Sequence, residues 1–169
     1  MKLAHLPLGV FFCSMVAFAQ QAPITAFRQI SDGLYRSARP GDAGIDAVAA
    51  MGMKTVLDLE NDDKVVAEER AHATALGLKF ISKPMSGFWE PHDAEVNEIL
   101  AIVADTSNYP MLVHCHLGED RTGLIIGLYR VFQQHWTPRA AYSEMLADGF
   151  HPRLFLLHHY FEDKTRFEN

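Results

Sequence analysis

Residues 111–123 read Met111-Leu112-Val113-His114-Cys115-His116-Leu117-Gly118-Glu119-Asp120-Arg121-Thr122-Gly123. Apolar and β-leaning residues run into Cys115, and Leu124-Ile125-Ile126-Gly127-Leu128-Tyr129 follows with helical patterning. The reading is a buried strand ending at Cys115, a short turn containing Gly118, and a helix beginning near Arg121. Such a turn gathers backbone N–H groups at a helix N-terminus. Oriented amides and the positive end of the helix favour a tetrahedral oxyanion there. Gly118 gives the turn its backbone freedom, and Arg121 offers a planar fork for two oxygens.

The same field acts on sulfur. A free cysteine titrates at about 8.5, and a helix N-terminus with a nearby cation can bring a thiol to about 3.5–7.5. A thiolate on the floor of an anion cradle is a nucleophile aimed at phosphorus. A merely structural strand-end cysteine leaves Gly118, Arg121 and the strand–turn–helix placement unexplained.

Outward from this stretch, strands alternate with helices. Phe27 to Ile30 and Leu34 to Ser37 flank the turn Ser31-Asp32-Gly33. Asp42 to Met51 reads as a helix stopped by Gly52, Met53 to Leu59 as a buried strand, and Lys64 to Leu76 as a helix closed by Gly77. Leu78 to Lys83 is a further strand, and His92-Asp93 open a helix reaching about Asp105. Helices over 122–134, 138–148 and 153–167 complete the chain. The expected fold is α/β: a central, mostly parallel twisted sheet of about four or five strands with helices on both faces. The site then sits at the carboxyl ends of the strands.

Residues 1–19 read as a signal peptide, with Lys2, an apolar run from Leu6 to Phe18, and the small-x-small signature Ala17-Phe18-Ala19. A retained anchor is the alternative, but the run is short and interrupted by Pro7 and Gly9. Residues 20–169 then form a single domain, exported to the periplasm or secreted, with no membrane attachment after cleavage. The formal charge of −6 argues against nucleic-acid binding, and loss of Lys2 makes it more negative. Of the two cysteines, Cys13 leaves with the leader and Cys115 stays unpaired. An unpaired thiol in an oxidising compartment points to a chemical task, and to sensitivity to oxidation. A monomer is expected.

The segment His114-Cys115-x-x-Gly118-x-x-Arg121-Thr122-Gly123 resembles the phosphate-binding loop of the protein tyrosine phosphatase superfamily, most of all its small dual-specificity-type members. Arg36-Ser37-Ala38-Arg39-Pro40 is similar to a segment that bends that family's chain toward its site; a plain Pro-terminated strand explains it equally well. The resemblance implies the cysteine-phosphatase fold and phosphomonoester hydrolysis through a phospho-cysteine, with no cofactor and no metal. It makes Cys115 the nucleophile and Arg121 the phosphate fork. Thr122 becomes the hydroxyl that supports the departing thiolate, and His114 the residue that orients the loop. Backbone amides of His116, Leu117, Gly118, Glu119, Asp120 and Arg121 would cradle the phosphate, with Lys83 and Arg39 as further substrate-binding cations.

The family's usual general acid is an Asp on a mobile loop well before the Cys. Here that region, Lys83 to Asp93, has no Asp at the expected spot. Three carboxyls stand in, in the order Asp120, Asp93 and Glu90. Asp120 precedes Arg121, where some phosphoinositide phosphatases carry an acid. Asp93 is equally an ordinary helix cap. Glu90 lies beside Trp89, whose ring could raise a carboxyl. The histidines lack metal-ligand spacing. For substrate, export leans the reading toward inositol polyphosphates, as in tyrosine-phosphatase-like phytases, with phosphoproteins as the alternative. A dead phospho-ligand-binding module and a sulfurtransferase are the rivals. The first normally loses the Cys or the Arg, and the second has one residue fewer between them.

Overall fold

The computed structural model describes residues 24–167. The leader reading of residues 1–19 lies outside them. Five strands form one sheet: β1 (Arg28–Ser31), β2 (Leu34–Ser37), β3 (Thr55–Asp58), β4 (Lys79–Ser82) and β5 (Met111–His114), in the order β1-β2-β5-β3-β4. The β1–β2 pair is an antiparallel hairpin, as its turn tripeptide predicts, and every other pairing is parallel. Among the described residues six α-helices follow the expected order: α1 (Gly41–Ala50), α2 (Asp63–Ala75), α3 (Asp93–Ala104), α4 (Asp120–Phe132), α5 (Pro138–Ala147) and α6 (Phe155–Thr165). None of the described helices is long and apolar enough to cross a membrane.

Strand alternation sorts the core into two layers. Met111 and Val113 of β5, with Leu57 of β3 and Leu34 of β2, pack with α3 and α4 through Ile99, Val103, Leu124 and Ile125. Leu112 and Val56 point the other way, onto Ile45 and Val48 of α1 and Ala73 of α2. β3 and β5 are buried along their whole length, which is why both read as continuous apolar runs rather than alternating ones.

The register positions the site. Ser37 of β2 and Asp58 of β3 both lie opposite His114 of β5, and Ser82 of β4 lies opposite Asp58. Four strands therefore end level, and the loops after them leave the sheet at one edge. Those loops carry Arg39, Glu60, Gly87 with Phe88, and Cys115. Most element boundaries differ from expectation by one or two residues; at the site, α4 starts at Asp120 rather than Thr122, and the last helix starts at Phe155 rather than Arg153. Arg153 is thereby left in a loop.

Candidate active site

Cys115 leaves β5 and the chain turns through residues 116–119 into α4. Glu119, the N-cap of α4, makes no side-chain cap hydrogen bond, so no side chain of its own competes for the first amides. The turn is pinned from below. Gly118 has φ +74, and a Cβ there would lie 2.4 Å from the Ser37 carbonyl oxygen. Only glycine fits. Arg36, 2% exposed, donates through Nη2 to the Gly118 carbonyl and through Nη1 to Asp148 Oδ2 at 2.6 Å. The Arg39 backbone N–H donates to the His116 carbonyl at 3.1 Å. Burial lowers the Arg36 guanidinium from its ordinary value, against the pull of Asp148.

The resulting cleft has a volume of about 610 Å³. Cys115 is on its floor, only 2% exposed, so reagents reach the sulfur through the cleft. Arg121 spans the wall. Its Nη1 donates to the carbonyl oxygens of Leu59 at 3.1 Å and Met85 at 3.3 Å, and to Asn61 Oδ1 at 3.2 Å. Among the described residues its Nε and Nη2 make no hydrogen bond, leaving one edge of the fork for an anion. Thr122 is fully buried with its hydroxyl unpartnered.

Arg39 lines the cleft, but its guanidinium is committed to Glu60 through Nε–Oε1 at 2.6 Å and Nη2–Oε2 at 2.5 Å. Burial pushes the Glu60 carboxyl up, yet Arg39 first and then Arg121 and His114 outweigh it, and Glu60 titrates below its usual range. Behind the loop, fully buried His114 has Nε2 2.7 Å from Glu69 Oε1 of α2 and 3.8 Å from Asp58 Oδ1. The 2.7 Å approach is an ion contact out of line with a hydrogen bond.

Of the three carboxyls expected to compete as general acid, only Asp120 lines the cleft. Asp93 is corrected: it opens α3 away from the cleft and binds Tyr160 Oη and Lys164 Nζ, both at 3.0 Å. Those contacts, Lys164 first, hold its carboxyl below the ordinary value, which is wrong for a proton donor. Glu90 is corrected too. It is exposed outside the cleft, and Trp89, itself 73% exposed, shields nothing. Lys83 pairs with Glu98 of α3 and contributes no lining side chain.

Residues not expected at the site also line the cleft: Glu60, Asn61, Phe88, His151 and Leu154. His151 comes from the loop between α5 and α6, and the preceding helix stop at Gly149 with Pro152 beyond is the only local hint of it. Two groups of ligand-capable side chains form where sequence spacing shows none: Asp58, Glu69 and His114, and Glu119, Asp120 and His151. Both are held by direct carboxylate–imidazole contacts.

Residues 14–153 match the family model described as DSP-PTPase phosphatase fused to NAD+ kinase. The chain belongs to the DSP-PTPase family. It is 33% identical over 136 residues to the dual specificity protein phosphatase TpbA of Pseudomonas aeruginosa, covering 79% of this chain and 60% of the relative. To the inositol diphosphatase DSP1 of Oryza sativa it is 29% identical, covering 72% of this chain and 56% of the relative. This DSP-PTPase chain thus spans somewhat over half the length of those curated relatives. Among solved structures, P. aeruginosa TpbA in complex with pTyr superposes with TM-score 0.71 at 28% identity, over 88% of this chain and 91% of that one. The catalytic core of the PP-IP phosphatase SIW14 from Saccharomyces cerevisiae gives 0.71 at 25% identity, over 84% and 89%. The fold expectation and the superfamily resemblance both hold.

Proposed function

We propose that this chain hydrolyses phosphomonoesters in two steps through a phospho-cysteine, without a metal, and that its preferred substrates are aryl esters of the phosphotyrosine type. One observation carries the reading: the Cys115 sulfur on the cleft floor, beneath an uncapped helix N-terminus and one open edge of an arginine fork. The Cys115 thiolate attacks phosphorus and the ester oxygen leaves with its bonding electrons and a proton from the cleft wall. The amides of residues 116–121 and Arg121 stabilise the equatorial oxygens as charge builds on them. Water then attacks the phospho-cysteine and returns sulfur as thiolate.

Charge and shape at the rim support the aryl preference over the inositol polyphosphates that export suggests. A polyanion needs free cations; Arg39 is neutralised by Glu60, Lys83 faces Glu98, and Asp62 and Asp120 add negative charge. Phe88, Leu117 and Leu154 supply apolar walls instead. The likeness to TpbA, solved with pTyr, supports it as well. Inositol polyphosphate remains the second reading, favoured by the likeness to DSP1 and SIW14 and by exposed Arg153 on the rim. Export of a monomer belongs to the same proposal. Its check is the N-terminal residue and mass of the chain recovered outside the cytoplasm.

Phosphate release from para-nitrophenyl phosphate, a phosphotyrosyl peptide and inositol hexakisphosphate, in EDTA, tests the reading. Expected are release from the first two, little from the third, and none from Cys115→Ser. Sulfur transfer from thiosulfate to cyanide without phosphate release overturns the reaction. Faster release from the inositol ester overturns the aryl preference.

A further inference from the structure

With Asp93 and Glu90 outside the cleft, Asp120 is the surviving carboxyl, but its surroundings suit an acceptor. Its Oδ1 receives the His151 backbone N–H at 2.8 Å and lies 3.1 Å from His151 Nδ1, with Oδ2 3.2 Å from the same nitrogen. A carboxylate only accepts, so the proton of that contact sits on Nδ1. The ring's other nitrogen, Nε2, makes no hydrogen bond among the described residues, and His151 lines the cleft.

The ring is also held in place. Phe150 is buried against Tyr142 and anchors the loop on one side of His151. Gly149, at φ +91, lies so close to α4 that a Cβ there would meet the Glu119 side chain at 2.8 Å. A histidine whose Nδ1–H is fixed by a carboxylate while its Nε2 is left without a partner in the lining of a reaction cleft is available for proton transfer.

We propose that His151 is the proton donor to the leaving oxygen and that Asp120 is its positioning residue. This rests on the phosphatase reading above. In the first step the imidazolium Nε2–H passes its proton to the ester oxygen as the P–O bond breaks and the S–P bond forms. The neutral ring then takes a proton from the water that cleaves the phospho-cysteine, which restores the imidazolium. The charged groups in contact with the ring are Asp120 and Glu119 from α4, with Oε2 of the latter 3.8 Å from Nδ1; Arg153 from its own loop, Arg121, Cys115 and His116 from the β5–α4 segment, and Arg39, Glu60 and Asp62 share the cleft with it.

The test compares phenyl phosphate, whose leaving group needs a proton, with 2,4-dinitrophenyl phosphate, whose leaving group does not. The readout is kcat/KM, which reports the cysteine-phosphorylation step, from pH 5 to 9. His151→Asn is expected to lose about 10²–10⁴-fold on phenyl phosphate and at least ten-fold less on the dinitrophenyl ester, with the alkaline arm of the profile gone. Asp120→Asn is expected to keep that arm while lowering kcat/KM on phenyl phosphate more than on the dinitrophenyl ester, because the ring loses the carboxylate that holds its Nδ1–H. Equal losses on both esters in His151→Asn overturn the proposal. So does an Asp120→Asn enzyme without the arm beside a His151→Asn enzyme that keeps it. Failure of the underlying phosphatase reading shows differently, as no release of phosphate from the dinitrophenyl ester by the wild type, or as release that survives Cys115→Ser.

Discussion

Cys115 and Gly118 carry the chemistry at the scale of single residues, one through its sulfur and the other through the side chain it lacks. The thiol lies at the foot of the uncapped α4 N-terminus in the cleft that Arg121 also lines, so iodoacetate should alkylate Cys115 and vanadate, seated in the same cradle, should slow that alkylation. Equal rates with and without vanadate, read by mass spectrometry, would defeat the cradle. Gly118→Ala places a methyl 2.4 Å from a backbone oxygen at a left-handed φ. The backbone conformation alone costs about 1–2 kcal/mol, and the overlap adds to it. Urea denaturation should show the loss, and the variant should lose vanadate protection because the loop has to shift. A variant as stable and as well protected as the wild type rules out this packing.

Among the secondary-structure elements, the telling contact is between α2 and β5. Lys64 to Arg70 is a charged stretch of α2, yet its Glu69 is buried against His114. Burial works against a charged imidazole there, but Glu69, then Asp58 and Glu60, outweigh it and lift His114 above its ordinary value of 6.5. Asp58 is lifted as well, chiefly by burial. A histidine raised in the folded state adds stability that is complete below about pH 6.5 and lost as pH rises through the folded-state value. The melting temperature should therefore fall from pH 6.5 upward. Glu69→Gln should flatten that fall and cost about 3–5 kcal/mol at pH 6, as removal of one partner from a buried pair does. An unchanged slope across pH 5–9 removes His114 from the account.

Across the whole molecule, Arg130 joins parts far apart in the chain. From α4 it grips Glu144 of α5 at 2.8 and 2.7 Å, donates to the Ile30 carbonyl of β1 at 3.0 Å, and lies over the Trp136 ring at 4.2 Å. Arg28 and Arg36 add contacts from the hairpin to Glu144 and Asp148. This network fastens the edge hairpin to the helices that carry the loop of His151. Arg130→Met leaves Glu144 without its closest partner in a partly buried position and should cost about 3–5 kcal/mol by urea denaturation. A loss below 1 kcal/mol means the hairpin docks through its apolar contacts alone.

The sequence by itself determined the strand–turn–helix around Cys115, the alternation that makes a parallel sheet, and the glycine the turn needs. Those signals are local: apolar periodicity, a helix stop and a tight turn are all written in neighbouring residues. Only the tertiary structure decided which of Asp120, Asp93 and Glu90 reaches the cleft, that Lys83 does not, that Glu69 is buried, and that His151 stands beside Asp120. The physical reason is that four strands end level at one edge of the sheet, so the side chains that meet there are chosen by register and by the path of long loops. Residues 31 positions apart, as Asp120 and His151 are, leave no trace of their contact in the residues between them.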